Sequence, residues 1–265
     1  MEQQEKRFAL LIDGDNIGSK YIKGIVNEIT KEGIITYKRI YGDWTKPNLA
    51  KWKEVLLDYS ITPVQQYAYT TGKNATDSAM IIDAMDILYA GKVDGFCLAS
   101  SDSDFTRLAA RLREAGMVVI GMGQKQTPQP FVAACSMFKY IEVIEDGDDQ
   151  EDAEKPAETS KKTSSSAKAE SPKKTAPVLD KNTEKYVAYV KKAIEEKSES
   201  DGWMLVSLLG NMLQKAFVDF DPRNFGEKKL VDLLNKWGFE TKAFQDPNNK
   251  MNPSGNIVYV RIKTK

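Results

Sequence analysis

Short apolar runs that end abruptly in acids or glycine constrain this chain more than any other feature. "FALLID" (8–13), "GFCLASS" (95–101) and "MVVIGMG" (117–123) have the length and content of buried central strands. "ITYKRIYG", "TPVQQYAY" and "YIEVIE" are further strand candidates, and amphipathic helix patterns begin near Ser19, Pro47, Thr76, Ser103 and Thr127. That alternation predicts an α/β fold with a mainly parallel sheet over residues 1–145. The helix after Thr76, "DSAMIIDAMDILYAG", is apolar on most sides and is expected to pack in the interior, with Asp77 at its mouth and Asp83 within it.

From Asp146 the composition changes. Residues 146–180 contain no aromatic side chain and almost nothing aliphatic, too little apolar surface to offset the entropy of ordering, so a disordered linker is expected there. Periodicity returns over 181–265, with helices near Glu184–Lys197, Met204–Ala216 and Glu227–Trp237, then strands "FETKAF" and "NIVYVRI" around the turn-rich "QDPNNKMNPSG". Three helices and a terminal hairpin describe a small winged helix-turn-helix domain. Trp203, Phe225 and Trp237 fit helical spacing and read as core rather than as base-stacking platforms.

Charge and cysteine usage narrow the chemistry. The chain carries 38 basic and 38 acidic residues, and only 181–265, with 15 basic against 11 acidic, is net basic. There is no histidine, and Cys97 and Cys135 stand apart in apolar contexts, which excludes thiolate zinc sites and histidine general bases. No apolar stretch approaches the roughly 20 residues that span a bilayer, and "MEQQEKRF" lacks the apolar core of a secretory signal, so a cytoplasmic protein with no membrane partner is expected.

The remaining chemistry runs on carboxylates. Asp13 and Asp15 follow the first strand, Asp43 follows "YG", Asp77 opens a helix, and Asp102 and Asp104 follow "LASS". In a parallel sheet every strand's carboxyl end lies on one side, so Asp13 and Asp102 come together if their strands are neighbours. Carboxylates so crowded raise one another's pKa unless a cation compensates them. Mg²⁺ or Mn²⁺, hard ions with oxygen ligands, fit such a site and support phosphodiester hydrolysis without histidine. Helix capping is the plainer alternative for each acid taken singly, above all Asp77 and Asp104.

The residues resemble a known family. "LIDGDN", "TDSAMIIDAMD" and "LASSDSDF" are similar to the three motifs of NYN domains, PIN-like ribonucleases that include the LabA-like group. The resemblance implies a Rossmann-like PIN fold and Mg²⁺- or Mn²⁺-dependent RNA cleavage. It makes Asp13, Asp77, Asp102 and Asp104 the metal ligands and catalytic acids, Asn16 the amide that orients the first acid or touches the phosphate, and Asp83 and, more loosely, Asp43 supporting acids. The segment from about 184 to 263 resembles the OST-HTH or LOTUS domain, which implies binding to RNA, single-stranded in this reading, or to a protein partner. Candidate RNA contacts are Lys73, Lys215, Arg223, Lys228, Lys229, Lys236 and Arg261, with Lys242, Lys250 and Lys263 on the same net-basic segment. Two alternatives stand beside a metal-dependent endoribonuclease: a catalytically weak RNA-binding adaptor, and a haloacid-dehalogenase-like phosphatase, for which "DGDN" supplies paired acids.

Overall fold

Alternating side chains on the three apolar runs are buried on both faces of one sheet, which is why the runs show no polar face. The computed structural model describes residues 5–67, 75–148, 181–198, 201–245 and 256–263. The strands of this sheet are β1 (Arg7–Asp13), β2 (Ile34–Gly42), β3 (Thr62–Gln65), β4 (Gly95–Ala99), β5 (Val118–Gly123) and β6 (Met137–Tyr140). They are all parallel, in the order β3-β2-β1-β4-β5-β6, so β1 and β4 are neighbours. The helices are α1 (Ile22–Thr30), α2 (Ala50–Val55), α3 (Ala75–Ala90), α4 (Thr106–Glu114), α5 (Gln129–Ala134) and α6 (Ile141–Asp148).

Ala9, Leu11, Phe96 and Leu98 face one apolar cluster with residues of α3, α4 and α5. Phe8, Leu10, Ile12, Cys97 and Ala99 face the other, with α1, Trp52 of α2 and α6. This is the α/β architecture with a parallel sheet expected from the alternation, and it fits the PIN-like fold that the resemblance implies.

Two local expectations are corrected. "YIEVIE" is not a strand: β6 is the preceding "MFKY", in register with β5 from Ile120↔Met137 to Gly123↔Tyr140. The chain then turns into α6, whose Ile141 and Ile144 pack at helical spacing, with Ile144 against α1 at Gly24. Helix α3 is not interior on all sides. It buries Met80, Ala84 and Ile87, one face at helical spacing, and leaves Ile82 and Tyr89 63% and 75% exposed.

The first compact unit comprises residues 1–148 together with 217–224. The second comprises 149–216 and 225–265. Its elements are α7 (Lys181–Lys197), β7 (Met204–Leu205), α8 (Val206–Ala216), α9 (Leu230–Lys236), β8 (Glu240–Gln245) and β9 (Asn256–Arg261), with an antiparallel sheet ordered β7-β9-β8. Val190, Ile194, Leu209, Leu213, Leu233, Leu234 and Val260 form its interior. The rings of Tyr186, Phe225 and Trp237 pack together, and Trp203 is buried against Phe244 with Arg261 over its face. Of the linker expected over 146–180, residues 146–148 continue α6 and 149–180 lie outside the described residues, as does the turn at 246–255.

Candidate metal centre

Strand register assembles the site. Ile12 pairs with Ala99, so the next residues along, Asp13 and Ser100, emerge side by side at the carboxyl edge. Ser100 Oγ donates to Asp13 Oδ2 at 2.8 Å, Asn16 Nδ2 donates to the same oxygen at 2.6 Å, and the Asp15 amide donates to Oδ1 at 3.1 Å. Asp13 is 1% exposed, and burial pushes its pKa up against the pull of those donors. Gly14 is needed where the chain leaves β1. Its amide donates to the Tyr41 carbonyl at 2.9 Å, and a Cβ there would lie 2.9 Å from that same oxygen.

Ser100 links two acids, since its Oγ also accepts from the Asp102 amide at 3.1 Å. Asp102 in turn caps the 3-10 turn Ser103–Phe105, taking the Asp104 amide at 2.9 Å. Capping is therefore real for Asp102, and it holds the turn that presents Asp104. One carboxylate oxygen each from Asp77, Asp102 and Asp104 lies within 4.8 Å of the other two. Burial, then the charges of Asp13, Asp102, Asp104 and Asp15, push the Asp77 carboxyl up to about 6.

The donor set fits a hard divalent ion. It is all oxygen, half-buried to exposed, and its members repel one another as they stand. Asp15 lies at the rim, accepting from Asn48 Nδ2 at 3.0 Å and Thr76 Oγ1 at 3.3 Å.

The supporting acids separate. Asp83, on α3, accepts from the Arg39 guanidinium through one oxygen and from the Tyr41 hydroxyl through the other, fastening the helix that carries Asp77 to β2. Burial and the Asp83 charge raise the Tyr41 pKa, so its hydroxyl stays a donor. Asp43 is buried at the end of β2, where it accepts from Thr45 Oγ1 at 2.7 Å and Gln65 Nε2 at 3.0 Å and braces β3. It is not a member of the three-acid cluster.

Sequence reasoning missed Ser100, Arg39 and Tyr41. Only Ser100 had a local signal, in "LASSDSDF".

The candidate RNA contacts also divide. Lys215, Lys228 and Lys229 are exposed. Lys236 is held by Glu227 and the Phe225 carbonyl, and Arg261 by Glu240. Arg223 is held by Asp221 and Glu28. Lys73 lies outside the described residues.

A family model for the NYN domain matches residues 7–142. The chain belongs to the NYN domain family. A model for the OST-HTH/LOTUS domain matches residues 178–242, behind the NYN domain. NYN is a nuclease-type domain and OST-HTH/LOTUS domains bind RNA, so the chain joins a nuclease-type fold to an RNA-binding type of module. The NYN assignment replaces the phosphatase alternative. Asp13, which that alternative needs as an accessible nucleophile, is buried beneath Asn16 and Ser100.

Among solved structures, the chain is similar to a protein of unknown function from Vibrio parahaemolyticus, at 19% identity over 53% of this chain and 96% of that one, with a TM-score of 0.45. It is also similar to an uncharacterized protein from Nitrosomonas europaea, at 29% identity over 40% of this chain and 94% of that one, with a TM-score of 0.26. No curated protein matches it. Among the described residues no helix is long and apolar enough to cross a membrane.

Proposed function

We propose that the chain is a metal-dependent endoribonuclease of the cytoplasm, with Mg²⁺ or Mn²⁺ held by Asp77, Asp102 and Asp104. The observation that carries this reading is the convergence of three carboxylate oxygens within 4.8 Å at the strand edge that also bears Asp13. A divalent ion bound there supplies charge to activate water and to steady the leaving oxygen of a phosphodiester.

The chain's own residues set that geometry. Asp13 completes the negative site from behind, fixed by Asn16 and Ser100, and Ser100 carries its position over to Asp102. Arg39 and Tyr41 anchor α3 through Asp83, so Asp77 approaches from a fixed direction. Domains 1–145 and 181–265 separate cutting from capture in this reading. Single-stranded RNA is the substrate, and exposed Lys215, Lys228 and Lys229 contact its phosphates.

The test is incubation of a labelled circular single-stranded RNA with the purified protein in Mn²⁺, Mg²⁺ or EDTA, beside Asp102→Asn. Linearisation that needs the ion and disappears in the variant supports the reading. A folded protein that binds the circle and leaves it closed in every condition overturns it in favour of an adaptor.

A further inference from the structure

The open edge of the six-stranded sheet raises a question separate from catalysis. β6 is an edge strand, and such an edge needs covering because its unpaired amides and carbonyls invite other chains. In the first unit the cover comes from far along the sequence, from residues 217–224. These residues lie inside the stretch matched to the OST-HTH/LOTUS domain.

Three kinds of contact seat the segment. The Phe138 amide donates to the Val218 carbonyl at 2.7 Å, a strand-like bond on the open side of β6. Val218 packs against the apolar cluster that contains Phe138, and the Tyr140 hydroxyl donates to Asp219 at 3.3 Å. The third contact is ionic. Glu28 on α1 is 3% exposed, and a bare carboxylate there would be costly. Lys139, projecting from β6, takes its Oε2 at 2.6 Å, while Arg223 Nη1 takes Oε1 at 2.8 Å.

The same guanidinium holds Asp221 through Nε at 3.1 Å and Nη2 at 2.8 Å, so its fork spans two carboxylates. Burial pushes the Glu28 pKa up, but hydrogen bonds from Arg223, Lys139 and Lys31 more than offset this and hold it far below the usual carboxylate range.

We propose that Phe217–Asn224 is a docking strap for the β6 edge and that Arg223 is its fastening to Glu28, not an RNA contact. The edge accepts a segment whose backbone offers a carbonyl to Phe138 and which presents an Asp-x-Arg pair to the pocket holding Glu28. In this chain "VDFDPRN" meets both requirements. With its donors shared between Asp221 and Glu28, Arg223 is not free for phosphate.

The test is amide hydrogen exchange on the full chain in EDTA without RNA, so its outcome is the same whether or not the protein cuts anything. Arg223→Met should raise exchange over 137–140 at least tenfold while amides of β1 and β4 keep their protection. Tyr140→Phe should act in the same direction, more weakly. RNA affinity of Arg223→Met should stay within about twofold of wild type, since the residue contributes no counterion release. Unchanged exchange over 137–140 in both variants overturns the strap. So does a several-fold loss of RNA affinity with that exchange unaltered. If Arg223→Met loosens β1 and β4 as well, Tyr140→Phe decides: selective loosening of 137–140 supports the proposal, and none overturns it.

Discussion

The acid cluster and the Glu28 pocket belong to one compact unit and use one functional group, yet they are built to opposite charge rules. At the strand edge, Asp77, Asp102 and Asp104 face one another, and the Asp77 carboxyl is pushed up to about 6 by burial and neighbouring acids. At Glu28 a single carboxylate is served by Arg223, Lys139 and Lys31, and its pKa is pushed down. A carboxylate given partners from its own chain is architecture. Carboxylates drawn together instead raise the pKa of a member of the group, here Asp77.

Breaking the satisfied pocket should produce the largest effect. Glu28→Gln leaves Lys139 and Arg223 facing a neutral group and should cost about 3–5 kcal/mol, as removal of one partner of a buried ion pair does. The denaturant dependence of exchange at the β1 and β4 amides measures this, and unaltered stability would erase the contrast. Its pH dependence has a definite sign. The folded pKa of Glu28 lies below the ordinary 4.5, so its stabilisation is present above pH 4.5 and is lost as pH falls towards the depressed value.

Next, Asp102→Asn should lower cleavage by at least about a hundredfold, since even groups behind a metal ligand cost 10–100-fold. The upward shift of melting temperature produced by Mn²⁺ should vanish with it. Ser100→Ala should cost about tenfold in activity, the lower end of that range, because Asp13 loses one donor of three while the acids remain. Activity equal to wild type would show that Asp13 needs no such tether.

The smallest effect sharpens the comparison by reversing sign. Asp77 has a folded pKa of about 6 against an ordinary 3.8, so the metal-free native state binds the proton more tightly than the unfolded chain. Its contribution to stability therefore declines as pH rises from about 4 to 6 and stays unfavourable above. Asp77→Asn should raise the metal-free melting temperature slightly at pH 7 and flatten its decline over that interval, while abolishing the response to Mn²⁺. A lower melting temperature at pH 7 would show that the acids are not in conflict.

Much of this was legible because it is local. Apolar runs ending in acids put Asp13 and Asp102 at the carboxyl edge of a parallel sheet, while the adjacency of their strands, on which their meeting depends, came only with the pairing of β1 and β4. What was hidden depended on distant partners. Glu28 reads as one more polar residue of an amphipathic helix, and nothing near it announces Arg223, 195 residues away.

The strand at "MFKY" was obscured by "YIEVIE", whose Ile141 and Val143 alternate like a strand while Ile141 and Ile144 fit a helix. On α3 the apolar composition concealed a face that reaches solvent at Ile82 and Tyr89. Asp83 stood out as a buried acid, but the side chains that answer it come from β2 and carry no motif.

The pairing of Ile12 with Ala99 reaches beyond hydrogen bonding. Side chains alternate faces along a strand, so the site is specified by a count of residues as much as by the identity of its acids. One residue added within β1 or β4 would keep every aspartate in the sequence and still turn Asp13 away from Ser100. The spacing inside these two strands is therefore a part of the site that no single side chain embodies.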